Sequence, residues 1–186
     1  MFGFGRVFAT LFFLIGAGIV GCGDSSSEPE KITNRVYLPE KIEAAPGESF
    51  TVPVNFDNEV SLSAINVPIL YPSSILRLDS VSFQNSRGDQ FMFKNVLAKA
   101  DTISIGVVDD SAAVATGRGL LATIYFTVRP TAPDTSFLLN TFDYPLLPFS
   151  FFDLQLKPVT NPPTFRACTV HIKGQASSDD DSGEPN

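Results

Sequence analysis

The residues best suited to chemistry in this 186-residue chain are two cysteines, Cys22 and Cys168, a single histidine, His171, and the adjacent carboxylates Asp109 and Asp110. His171 sits between Val170 and Ile172, so on an alternating strand it faces away from the core. It has no cysteine or serine partner at a recognisable spacing, and a metal there would lack ligands. Neighbouring residues on a strand point to opposite faces, so Asp109 and Asp110 cannot converge on one glycosidic bond. Cys168 alternates with Val170 and Ile172, which is the position of a buried, inert thiol rather than of a nucleophile. Catalysis is not expected from this set.

Cys22 has a different context. One cation, Arg6, precedes an apolar run from Val7 to Val20. That run falls short of the roughly 20 residues that a spanning helix needs. A positive charge, a short apolar core and then small residues form the pattern of a secretory signal peptide, with the cut near Gly21. The stretch Ile19-Val20-Gly21-Cys22 resembles the bacterial lipobox, in which the cysteine is diacylated on sulfur and becomes the new N-terminus. The expectation is a lipoprotein signal over residues 1–21 and attachment to the membrane through lipidated Cys22. An uncleaved anchor, or a plain secretory peptide with an incidental cysteine, is the competing reading. The protein is accordingly expected in the cell envelope, tied to a bacterial membrane and facing outward from the cytoplasm.

Removing residues 1–21 takes away Arg6 and no acid, which moves the formal charge from −7 to −8. Such a surface repels nucleic acid, whose phosphates need clustered Lys and Arg, so no nucleic-acid partner is expected. With Cys22 lipidated, Cys168 is left alone and an intramolecular disulfide is excluded. Stability must come from packing.

Both ends read as solvated chain. Residues 22–33 are rich in Ser, Glu, Gly, Asp and Pro and form a flexible tether. Residues 174–186 carry Asp179, Asp180, Asp181 and Glu184 without the glycine and distal glutamate of a calcium loop, so they read as a disordered acidic tail. The remaining stretch, 34–173, is one domain in size.

Within it the period is two almost everywhere. Phe50, Val52, Val54 and Phe56 alternate with polar residues and Pro53. The same holds for Ile65, Val67, Ile69 and Tyr71, for Phe91 and Phe93, for Ile103, Ile105 and Val107, for Leu120, Ala122, Ile124, Phe126 and Val128, and for Cys168, Val170 and Ile172. Turn formers separate the runs: Pro46-Gly47, Asp57-Asn58, Pro72-Ser73, Ser86-Arg87-Gly88-Asp89, Gly117-Arg118-Gly119 and Pro130 to Asp134. No segment offers a capped helical stripe. The pattern predicts an all-β, antiparallel β-sandwich. Pro53 and Pro68 should lie at edges or bulges, because neither donates to a ladder. Phe142 to Leu156, punctuated by Pro145 and Pro148, reads as an irregular crossover that ends in an edge strand near Phe149 to Leu154.

The order of certain segments then resembles the cohesin domain, the receptor module that captures dockerin domains in cellulosome-type assemblies. The segments are Pro46-Gly47-Glu48-Ser49-Phe50-Thr51-Val52-Pro53-Val54, Tyr71-Pro72-Ser73-Ser74-Ile75-Leu76, and Gly119-Leu120-Leu121-Ala122-Thr123-Ile124-Tyr125-Phe126-Thr127-Val128. The resemblance covers roughly residues 34–173. It implies a jelly-roll topology of about nine strands, a non-catalytic role, and docking of a calcium-loaded helical pair on the outer face of one sheet. It also implies no cofactor on this chain, the calcium staying with the dockerin-containing partner.

Carried onto this sequence, that face would present Ala64, Asn66, Pro68 and Leu70 from one strand, and Ser104, Gly106 and Val108, ending at Asp109, from another. Asn66 falls where many cohesins carry a docking aspartate, and Ala64 where they carry asparagine, so the set is less polar than is usual in the family. Pro68, Leu70 and Val108 could supply an apolar centre. The alternative is a carbohydrate-binding module of the same architecture, in which polysaccharide would be the partner. Sugar platforms favour exposed Trp and Tyr, and this chain has no Trp and four Tyr. Phe149, Phe151 and Phe152 are the aromatics best placed for that role, with packing the competing explanation.

Overall fold

The computed structural model describes residues 31–109, 113–143 and 146–174. Cys22, the signal segment, most of the tether and all but the first residue of the tail lie outside the described residues. Nine strands of four residues or more carry the architecture: β2 (Lys41–Ala44), β3 (Ser49–Asn58), β4 (Ala64–Leu70), β5 (Leu76–Ser82), β6 (Phe93–Lys99), β7 (Thr102–Val108), β8 (Gly117–Val128), β9 (Thr135–Thr141) and β12 (Cys168–Ile172). Three further strands span three residues each: β1 (Arg35–Tyr37), β10 (Ser150–Phe152) and β11 (Thr164–Arg166).

The strands form two sheets. One runs β11-β1-β3-β8-β5; the other runs β2-β12-β9-β4-β7-β6, with β10 also paired to β4. Pairing is antiparallel except at β1–β11 and β2–β12. The period of two turns one set of side chains from each sheet toward the other. Val52, Val54 and Phe56 of β3 and Ile124, Phe126 and Val128 of β8 are fully buried, as are Val67 and Ile69 of β4, Ile103, Ile105 and Val107 of β7, and Cys168 and Val170 of β12. Each large apolar side chain so removed from water contributes about 1.5–3 kcal/mol before the entropy of ordering is set against it. Aromatic rings knit the core at one end, where Phe151 meets Phe56 edge-on at 6.3 Å between centroids.

The prolines fall where a ladder donor is not needed. Pro53 lies on a stretch of β3 that β1 does not reach, since β1 pairs only with Asn55, Phe56 and Asp57. Pro68 lies in the gap between two short neighbours of β4: β10 pairs with residues 64–66, β9 with Ile69 and Leu70. Each lacks a second neighbour at the position of its missing N–H.

Two details of the alternation differ from the sequence reading. Phe91 and Phe93 do not share a face: Phe91 is 1% exposed and Phe93 57%. A short 3-10 turn over Arg87–Gln90 precedes them and β6 begins only at Phe93, so strand alternation does not extend back to Phe91. Likewise Leu121, not Leu120, turns inward, because a register shift opposite Val54/Asn55 leaves Leu121 as the extra residue of a bulge. The segment after Phe142 does end in a strand, β10, which lies beside β4 rather than apart from it.

Candidate functional site

The outer face of the second sheet is built in rows, since residues directly opposite one another in antiparallel strands share a face. One row is Phe152–Ala64–Val108–Phe93, the next Ser150–Asn66–Gly106–Asn95, the third Pro68–Ser104–Leu97, and the last Asn140–Leu70–Thr102–Lys99. Large side chains stand at the two sides, Phe152 on β10 and Phe93 and Leu97 on β6. Small ones, Ala64, Ser104 and Gly106, lie between. The result is a groove of about 250 Å³ lined by these residues together with Asn66, Asn95, Val108 and Leu147.

The floor of the groove is polar and tied down. The Ser104 hydroxyl donates to Asn66 Oδ1 at 2.9 Å, and Asn66 Nδ2 donates to the carbonyls of Leu147 at 2.5 Å and Pro148 at 2.8 Å. All the side-chain hydrogens and the acceptor of Asn66 are thus directed at the chain itself. Its walls are apolar and open: Phe93 and Leu97 are exposed, and Val108 is 39% exposed. Exposed apolar side chains grouped along a groove are the kind of surface found at interaction sites.

The structure brings all eight residues predicted for docking to this sheet or its end. Their accessibility is uneven. Ala64, Asn66, Ser104 and Asp109 are each less than one-tenth exposed, and Pro68 is buried too. Asp109 follows β7, and its backbone N–H donates to Ser63 O at 2.7 Å. Leu70, Gly106 and Val108 keep an accessible surface. Sequence reasoning did not place Phe93, Leu97 or Leu147 at this face, and it named Phe152 only as a candidate sugar platform, whereas Phe152 lines the groove. The alternation Phe93–Asn95–Leu97 carried a signal for the first two, but grouping Phe93 with the buried Phe91 put Phe93 on the inner face.

The other chemically capable residues are not gathered here. Cys168 is fully buried, and its burial pushes the thiol up to about 11. His171 Nδ1 lies 2.6 Å from the Ser136 hydroxyl on the neighbouring strand β9. Phe151 belongs to the core, and Phe149 packs edge-on against Phe151 and Phe165. Neither offers a flat exposed ring. Among the described residues, no three His, Cys, Asp or Glu side chains gather into a metal-binding group.

Fold and surface together define a jelly-roll sandwich with a groove across the outer face of one sheet. The family model for the cohesin domain matches residues 38–143, more than half of the chain, and the chain belongs to that family. Among solved structures it is similar to the seventh ScaB type I cohesin of Pseudobacteroides cellulosolvens, with 18% identity and a TM-score of 0.64 over 78% of this chain and 96% of that one. It is also similar to a type I cohesin–dockerin complex from Clostridium thermocellum, at 18% identity and a TM-score of 0.59 over 76% and 99%. A type II cohesin domain from the cellulosome of Acetivibrio cellulolyticus matches at 15% identity and 0.57 over 74% and 95%. The comparison with curated proteins gives no match.

Proposed function

We propose that this chain is a non-catalytic, lipid-anchored capture module of the cell envelope, which holds a dockerin-type partner on the outer face of the β9-β4-β7-β6 sheet. The observation that carries the reading is the exposed apolar strip of Phe93, Leu97 and Val108 beside a polar floor. Interfaces of this type concentrate affinity in a desolvated apolar centre ringed by polar groups. Several structures of the same fold are complexes of a cohesin with a dockerin, which supports a partner of that class. Asn66 contributes by shaping the floor, since its polar atoms are already engaged.

The anchor rests on Cys22. Two or more hydrocarbon chains at one residue give stable membrane attachment, and a short tether then raises the local concentration of whatever the domain holds. A role in polysaccharide degradation would follow from the partner's own activity, not from a sugar platform on this chain. The test is retention of a calcium-loaded dockerin from the same genome, lost in chelator, against retention on insoluble polysaccharide. Polysaccharide retention without dockerin capture would favour the carbohydrate-binding alternative.

A further inference from the structure

The outer face of the other sheet carries a cluster that docking leaves unused. Arg35 and Tyr37 stand outward on β1, either side of the buried Val36. Thr164 and Arg166 stand outward on the edge strand β11, in register with Arg35 and Tyr37. On the inner side of β1, Asp57 of β3 lies opposite Arg35, and Arg118 of β8 lies opposite Asp57. Arg35, Arg118 and Arg166 therefore share this corner with Asp57, while Glu59 stands beside it, engaged by the Asn34 and Asn161 side chains.

The Asp57 carboxylate is fully buried and held through one oxygen, Oδ2. Arg35 Nε donates to Asp57 Oδ2 at 2.7 Å, and Arg118 Nε approaches the same oxygen at 3.6 Å. Arg166 makes no ion pair among the described residues; it lies over the Tyr37 ring at 5.2 Å and one Nη donates to Leu38 O at 3.4 Å. Arg35 lies over the same ring at 5.1 Å. A guanidinium has five N–H donors, so after these contacts both Arg35 and Arg166 retain donors. Both border a pocket of about 250 Å³ lined by Arg35, Val36, Tyr37, Thr164, Phe165 and Arg166, with no carboxylate in its lining.

Two guanidiniums fixed against one aromatic ring are partly pre-ordered, so less rotamer entropy is lost when they close on a ligand. Their planar forks match the oxygens of a carboxylate or a phosphate, and the Thr164 hydroxyl adds a neutral polar contact. The chain's net charge of −7 works against anions in general, so a positive corner here is a local device and not part of a basic surface. We propose that the Arg35–Tyr37–Arg166 pocket is a binding site for one oxyanion on a small polar ligand, the anion being either a sugar carboxylate or a phosphate.

The test is titration of the full chain at low ionic strength in a non-phosphate buffer, followed by NMR shifts, with three probes: galacturonic acid, inorganic phosphate and neutral galactose. Saturable shifts at Tyr37 and Thr164 with galacturonic acid alone assign the acidic sugar; with phosphate alone they assign a phosphate source; with both they assign the shared oxyanion chemistry. In each case binding weakens with added salt. Arg166→Gln is expected to weaken it about tenfold or more, the effect of losing one charge-assisted contact. Arg166 stands on an edge strand, so this variant keeps its fold; Arg35 is left alone because it holds buried Asp57. Val108→Glu, on the other sheet, should leave the titration unchanged, which separates this site from partner capture. No saturable shift with either anion, equal response to galactose, or unchanged affinity in Arg166→Gln would overturn the proposal.

Discussion

Ser104 and Asn66 are joined by a 2.9 Å hydrogen bond at the centre of the groove, with both residues less than one-tenth exposed. Their register partners, Pro68 and Gly106, are diagonal neighbours, so the bond crosses from β7 to β4 on the outer face. The same Asn66 holds the Leu147–Pro148 backbone, which fixes one wall of the groove to its floor.

Asn66→Ala should therefore act first on stability. It leaves the Leu147 and Pro148 carbonyls and the Ser104 hydroxyl without their partner, a cost of about 1–3 kcal/mol. For a domain of this size the melting temperature should fall by about 3–8 °C. Hydrogen exchange should also rise at residues 146–149. An Asn66→Ala variant that melts like the parent would show that this network does not hold the wall.

Gly88 is required for packing and not for backbone freedom. A Cβ there would lie 2.0 Å from Leu121 O, a backbone atom that cannot swing away. Gly88→Ala should destabilise the domain measurably by calorimetry. The conservative substitution Gly106→Ala should not, because its nearest contact would be 3.8 Å.

Glu43 binds Lys173 and Lys41, the second at 2.5 Å. The Lys173 hydrogen bond, followed by that of Lys41, lowers its carboxyl from 4.5 to about 2. A carboxyl depressed by folding adds stability above its unfolded value and loses it as the acid form is reached. The contribution is thus present above about 4.5 and fades between 4.5 and 2. In Glu43→Gln the acid-side loss of melting temperature over that window should be shallower, and added salt should shrink the difference, since the pair is exposed.

Cys22→Ala should release the protein from the membrane fraction or leave it unprocessed. Labelling with palmitate should be lost in the variant. Label that persists would place the lipid elsewhere.

The sandwich was legible because a strand with one buried face must alternate, and Phe50 to Phe56 or Ile103 to Val107 permit no other assignment. Where alternation breaks, local sequence stops being a guide. Leu120 and Leu121 are both apolar, so only the register against Val54 and Asn55 decides which one turns inward. Phe91 and Phe93 look equivalent until the 3-10 turn before them is seen. The candidate groove was legible to the level of the sheet and two of its strands. Its far wall was not, because Leu147, and Phe152 that by sequence is only a possible sugar platform, reach the groove through β10 pairing with β4 some 80 residues earlier, at Asn66.

The face bearing Phe93, Leu97 and Val108 is the surface proposed to hold a dockerin-type partner. Isothermal titration of a calcium-loaded dockerin from the same genome into the parent chain and into Val108→Glu tests it most directly. Saturable binding to the parent is expected, with at least a hundredfold weaker binding to the variant because a desolvated apolar centre has gained an unpaired charge, and an unchanged melting temperature. Equal affinity for the two chains, with both folded, would contradict it.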